Sequence, residues 1–104
     1  MNIVIECGLF ADRAQSSYST HIHEQLFWSE GFDDDDGVTT NSSPLENDVP
    51  RLSSVFTVHC FARAAWVVIA KEPDIEIGPR RYLRANQTHH IVAPRGTRLA
   101  FQLI

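Results

Sequence analysis

The chain has 104 residues, of which 43% are hydrophobic and 21% are charged, and its formal net charge is −4. This length predicts one domain, spanning 1–104, and excludes most large enzyme scaffolds; the apolar fraction is too high for wholesale disorder. No run approaches the roughly 20 apolar residues of a membrane helix, and the first residues lack the pattern of a secretory signal, so neither is expected.

Short segments of alternating apolar and polar residues predict strands along most of the chain, whereas helix signals are poor. The predicted strands are 2–7, 18–28, 55–61, 65–70, 74–77, 81–84, 88–93 and 97–104. Residues 65–70 are nearly all apolar, as in a strand covered on both faces, and the alternation in 74–77 points Ile75 and Ile77 inward. Turns at Gly78-Pro79 and at 94–97 separate the later strands. This pattern predicts an all-β fold, a small antiparallel β-sandwich or jelly-roll-like barrel.

The segment 30–50 is polar, turn-rich and strongly negative, which predicts a long exposed loop. The run from Asp33 to Asp36 suggests a calcium loop, but the sixth residue counted from Asp33 is Val38 rather than glycine, and the twelfth is Pro44 rather than glutamate. A solvated acidic loop is therefore favoured. An incidental or intersubunit cation site that includes Asp33 and Asp35 is the alternative.

His21 and His23 would leave the same face of a strand, a suitable geometry for two metal ligands. Together with the late Pro-x-Gly turn they resemble fragments of the cupin pattern. The glutamate expected after the second histidine is missing, since Phe27 and Trp28 stand there, and Leu99 stands where a later histidine is expected. Surface or partly buried histidines are favoured, and a cupin-like metal-binding barrel is the rival.

The two cysteines, Cys7 and Cys60, lie within strand-like segments and not in paired-thiol or zinc spacing, so they are predicted to be free and buried. No nucleophile elbow, phosphate loop or paired-carboxylate motif is present. The sequence therefore predicts a protein that is not an enzyme and needs no cofactor.

Charge is distributed unevenly: residues 1–48 carry ten acids and one base, and residues 49–104 carry eight bases and three acids. The net negative charge argues against nonspecific binding of nucleic acid. Arg80, Arg81 and Arg84 form the densest basic group. They are interpreted as solvated surface, as partners for the acidic half of the same fold, or as one side of a complementary contact between copies.

Four segments of the C-terminal half share a plan with a known class of proteins. The segments are Val55–Phe61, Ala65–Pro73, Tyr82–Gln87 and Ile91–Phe101, within 53–104. Their plan resembles small β-sandwich virion proteins of tailed bacteriophages, of the head-decoration or tail-accessory kind. The resemblance implies a non-enzymatic structural protein of the virion, assembled in the host cytoplasm. Such a protein would bind copies of itself and neighbouring capsid or tail proteins, and neither nucleic acid nor a membrane.

Aromatic residues near the polar segments are the other candidates for an interface. Phe27, Trp28 and Phe32 are assigned to it because aromatic side chains are enriched at interface cores, with ordinary core packing as the alternative. A carbohydrate-binding module is a further alternative, in which Trp28, Trp66 and Tyr82 would stack on sugar rings. The position of Trp66 within an apolar run favours the core for that residue.

Overall fold

The computed structural model describes residues 1–11, 25–44 and 52–104. These ranges contain eight strands and no helix. The strands are β1 (Ile3–Ala11), β2 (Gln25–Phe32), β3 (Asp36–Val38), β4 (Leu52–Cys60), β5 (Ala65–Ala70), β6 (Arg81–Leu83), β7 (Gln87–Val92) and β8 (Arg98–Leu103). They form two antiparallel four-stranded sheets, a first sheet ordered β2-β1-β4-β7 and a second ordered β3-β8-β5-β6. The predicted all-β sandwich is confirmed.

Most connections carry the chain from one sheet to the other. Of the described strands, only β1 to β2 and β5 to β6 follow each other within a sheet. Alternation between two facing sheets is the connectivity of a jelly-roll-like sandwich rather than of an up-and-down barrel. It leaves β2 and β7 as the edges of the first sheet and β3 and β6 as the edges of the second.

The core lies between the two sheets and is built from alternate residues of their strands. Ile3, Ile5 and Cys7 of β1 are completely buried, because a two-residue period sends every second side chain to the same face. Phe101 of β8 faces them from the second sheet and meets the ring of Phe32 at 4.9 Å between centroids. Burial of this apolar surface is the main force that holds the sheets together.

Most strands of the C-terminal half lie where the pattern predicts them. β5 has the predicted limits, and β4, β6, β7 and β8 differ by one to three residues at their ends. Both predicted turns are present, and Gly78 and Gly96 have positive φ angles of 92° and 73°, a conformation that glycine adopts without steric cost. Asn86 adopts a φ of 60° in the turn between β6 and β7.

The strand predicted at 74–77 is wrong. Residues Asp74 and Ile77 form an isolated bridge within a tight turn, in which the Ile77 N–H donates to the Asp74 carbonyl at 3.0 Å. The Asp74 carboxylate also accepts the Glu76 N–H at 3.0 Å, a bond typical of aspartate in turns. Ile77 is 68% exposed rather than inward. Four alternating residues are too few to distinguish a strand from a turn.

The segment predicted as a loop over 30–50 is described as far as residue 44 and is only partly a loop. Asp33 to Asp36 are exposed, as predicted, but β2 continues to Phe32 and β3 pairs with β8. Thr39 and Ser43 are completely buried, and their N–H groups donate to carbonyls of Leu99 and Thr97 at 2.9 and 2.8 Å.

The segment that follows β3 is held to the first sheet by a carboxylate. Glu30 Oε1 accepts the Thr40 N–H at 3.0 Å, and Oε2 accepts the Asn41 N–H at 2.9 Å. These bonds satisfy the backbone groups of a segment that has no strand partner there. The strand predicted over 18–28 begins, within the described residues, at Gln25, and 18–24 lie outside them.

The prediction of free, buried cysteines is confirmed. Cys7 lies opposite Phe56 in the register of β1 and β4, whereas Cys60 lies opposite Ile3 at the other end of the pair. That offset is too long for a disulfide. Burial raises the pKa of the Cys7 thiol to about 12, against a smaller opposing effect of a hydrogen bond from Ser43, and burial also raises the pKa of Cys60.

Candidate interaction surface

The three aromatic residues predicted for an interface pack against the core. Phe27, Trp28 and Phe32 are all partly buried there. The register of β1 and β2 shifts between Cys7 and Gly8, and such a bulge lets neighbouring side chains reach the same side of a sheet. Trp28 contacts Phe56 at 5.8 Å between ring centroids. All three side chains therefore take part in core packing, and their role at an interface stays a prediction.

Of the residues considered for a metal site, Asp33 and Asp35 are described, and each carboxylate faces a positively charged group. The Asp33 carboxylate lies 3.1 Å from the N-terminal amino group, and the Asp35 carboxylate lies 2.7 Å from Nη1 of Arg63. His21 and His23 lie outside the described residues. Across 1–11, 25–44 and 52–104, no group of three or more His, Cys, Asp or Glu side chains could hold a metal ion.

The three arginines flank or form β6, an edge strand of the second sheet, and all are exposed. The Arg80 guanidinium lies over the Trp66 ring, 5.0 Å from its centroid, in a cation–π contact. Arg81 lines a smaller hollow of about 300 Å³ with Val67 and Ile69. None of the ion pairs between described residues includes Arg80, Arg81 or Arg84. The acids of the same fold therefore do not partner them within the described chain.

One row of side chains crosses the outer face of the second sheet from edge to edge. Asp36 of β3 lies opposite Gln102 of β8, which lies opposite Trp66 of β5, which lies opposite Tyr82 of β6. Residues paired in this way point to the same face. Because strands lie about 4.8 Å apart, the acidic and aromatic ends of the row are separated by about 14 Å.

The acidic end of this face contains a groove of about 590 Å³. Its apolar lining includes Val38, Ala100, Pro73 and Ile75, because the chain after β5 lies beside β3 and β8. Its charged lining consists of three carboxylates and one guanidinium, from Asp36, Glu72, Asp74 and Arg98. These charges leave the groove two charges negative. No ion pair within the described residues includes any of the four.

The aromatic end of the face is exposed. Tyr82 is 53% exposed and meets Trp66 edge to face, with 5.4 Å between ring centroids. Trp66 is thus only partly buried and lies outside the core, contrary to the prediction from its apolar run. The sequence predicts that β5 is covered on both faces. This is true at Val68, which is buried on the outer face.

The outer face of the first sheet carries a polar network instead. The His59 Nε2–H donates to Glu6 Oε1 at 3.0 Å, and Nδ1 of the same ring lies 3.0 Å from the Thr88 hydroxyl. Since a carboxylate only accepts, Nε2 carries a proton. Thr57 and His90 are joined in the same way at 3.0 Å. Glu6, His59 and Thr88 thus bond to one another within the chain.

Two of the three aromatic residues considered for sugar stacking, Trp28 and Trp66, are engaged by the protein itself, whereas Tyr82 is exposed. Trp28 packs on Phe56 and donates its indole N–H to the Ser42 carbonyl at 3.0 Å. The Arg80 guanidinium covers a face of the Trp66 ring. This arrangement does not favour a carbohydrate site.

The sequence indicated only half of this surface. The arginines are visible as a cluster along the chain, whereas the groove joins Asp36 to Glu72 and Asp74, which lie far apart in sequence. The local signals for the groove are the aspartate run that ends at Asp36 and the apolar and acidic alternation at 74–77, which predicts a strand.

No family model, curated protein or solved structure matches the chain. Among the described residues, no helix has the length and apolar character needed to cross a membrane.

Proposed function

We propose that the chain is a non-enzymatic structural subunit of a tailed-phage particle, which binds copies of itself and a neighbouring capsid or tail protein. The observation that carries this proposal is the separation of unpaired opposite charges across the second sheet. Acidic side chains gather at the β3 end of its outer face, and Arg80 and Arg81 lie at the β6 edge.

Unpaired charge at two opposite edges suits association better than stability. Exposed ion pairs contribute little to the stability of a single chain, whereas complementary potentials orient two surfaces and disfavour wrong partners. Both edge strands of the second sheet are three residues long. Short edges limit unspecific pairing between sheets, so the charges would select the partner.

The assignment to a phage particle comes from the resemblance of 53–104 to small virion proteins. Such a protein needs a stable shell of strands and a surface for neighbours, and no reactive centre. The sandwich is compatible with the need for a stable shell, and its charged outer face is compatible with the need for a surface that contacts neighbours. The particle would supply a second charged surface next to each bound copy.

Light scattering at increasing protein concentration, together with co-sedimentation with purified tailed-phage particles, tests the proposal. We expect a mass above that of one chain, 11.8 kDa, and retention on the particles. Raising the salt from about 0.05 M to 0.5 M should weaken both, because salt screens exposed charges. A strict monomer that does not bind particles would contradict the proposal.

A further inference from the structure

We infer that the acidic groove of the second sheet receives the Arg80–Tyr82 end of β6 from a second copy of this chain, in a two-fold dimer. The inference deepens the proposed function and rests on it, since it names the surface and the symmetry of the self-association. The groove is the one described above, which is lined by Asp36, Val38, Glu72, Asp74 and Ala100 among others.

The groove has the size and chemistry for an arginine and an aromatic ring. Its volume of about 590 Å³ lies within the range of about 300–1,000 Å³ that is typical of binding pockets. Val38, 40% exposed, and Ala100 give it an apolar wall. Asp36, Glu72 and Asp74 supply carboxylates, to which a guanidinium can donate in paired hydrogen bonds.

The β6 end of the same face has the complementary chemistry. Tyr82 is the largest exposed aromatic side chain of the described residues, and aromatic and arginine side chains are the usual anchors of protein interfaces. Arg80 is held over Trp66. Because its guanidinium is already positioned, less side-chain entropy is lost when a partner binds.

The placement of the two ends favours a closed dimer. The groove and the Arg80–Tyr82 end share one face of one sheet, about 14 Å apart across four strands. When a second copy faces this surface with its ends reversed, each groove meets the other copy's Arg80 and Tyr82. The same contact then forms twice, as a two-fold interface requires.

Charge-reversed variants test this contact. Arg80→Glu places a carboxylate against three others, and Asp74→Lys places an ammonium against Arg80. We expect each variant alone to weaken dimerisation by at least about 100-fold, because like charges in contact are strongly unfavourable. An equal mixture of the two should restore a dimer, since each contact then joins groups of opposite charge.

Arg84→Glu makes the same charge change at the other end of β6 and serves as the matched control. We expect it to change the dissociation constant by less than about threefold at 0.15 M salt.

Sedimentation velocity of all variants, with thermal melts as a check of folding, separates the outcomes. A wild-type dimer, two monomeric single variants and a dimeric mixture support the inference. An Arg80→Glu variant that dimerises as well as the wild type overturns this inference and leaves the proposed function standing. A monomeric wild type overturns the inference, and it also overturns the proposed function if particles fail to bind. If the wild type forms assemblies larger than a dimer, the proposed two-fold symmetry is wrong.

Discussion

The outer faces of the two sheets differ in how their polar side chains are partnered. On the first sheet, Glu6, His59 and Thr88 bond to one another across three strands at 3.0 Å. On the second sheet, the carboxylates of the groove and the guanidinium of Arg80 lie on one face and do not meet. A face whose polar groups satisfy each other needs no partner, whereas a face with separated opposite charges is suited to a second molecule. This difference, more than the net charge of −4, is the reason why we propose the outer face of the second sheet as the binding surface.

The comparison depends on a core that keeps the two sheets together, and Cys7 gives the largest expected effect on it. The pKa of its thiol is raised from 9.0 to about 12 in the folded protein. Below pH 9 both states keep the proton, so the stabilisation is complete there. Between pH 9 and 12 only the unfolded chain loses it, so the free energy of unfolding falls as the pH rises, by up to about 4 kcal/mol.

Chemical denaturation of the wild type and of Cys7→Ala from pH 8 to 11 measures this effect. All other ionisable groups are common to both proteins, so the difference between the two pH profiles isolates the thiol. The wild type should lose stability more steeply with pH than Cys7→Ala does. Parallel profiles would show that the Cys7 thiol is not protected by the core.

The second prediction sharpens the contrast between the faces. Reversing the three arginines in and beside β6, as Arg80→Glu, Arg81→Glu and Arg84→Glu together, should abolish self-association with little change in stability, because exposed charges contribute little to folding. Glu6→Gln combined with His59→Gln should leave the association constant unchanged. Sedimentation at equal salt compares the two variants. Loss of association in the first-sheet variant alone would reverse the assignment of the faces.

The third prediction concerns Gly37, which sets β3 beside the core. A Cβ atom at this position would lie 3.1 Å from Cε1 of the Phe101 ring and 3.3 Å from Cζ. Gly37→Ala should therefore lower the free energy of unfolding by about 1–2 kcal/mol, as overpacking does. Thermal melts measure it, with Val92→Ala, at a 67% exposed position of β7, as control. Equal melting temperatures for Gly37→Ala and the wild type would show that β3 tolerates the added methyl group.

The smallest effect is expected from the polar network of the first sheet. Glu6→Gln with His59→Gln should cost about 1 kcal/mol of stability, the ordinary net contribution of a side-chain hydrogen bond. A urea titration is sensitive enough to detect it. A cost of several kcal/mol would mean that this network contributes more to the stability of the fold than its partly exposed hydrogen bonds suggest.

The fold was largely predictable because hydrophobic alternation decides which side chains enter the core. β5 was placed correctly from its branched and apolar residues, since such a segment has few other stable environments. β3 was missed because Asp36, Gly37 and Val38 have no strand signal of their own and are held by β8 and by contact with Phe101. Tertiary contacts of this kind leave no local pattern.

The candidate surface was predictable only where it is local in sequence. The cluster of Arg80, Arg81 and Arg84 could be identified from the chain, although not the position of Arg80 over Trp66. An apolar run does not show which of its residues face outward, so the sequence predicts Trp66 in the core although it lies on the outer face. The groove required the chain near Glu72 to fold beside β3, a contact that no spacing along the sequence reveals.

Hydrogen exchange read by mass spectrometry, in dilute and in concentrated protein at low salt, tests most directly that the second sheet's outer face binds a copy of the chain. The account predicts that backbone amides in 71–84 and in β3 exchange more slowly in the concentrated sample, while amides of β4 and β7 do not change. Slower exchange confined to the first sheet, or no difference between the two samples, would contradict it.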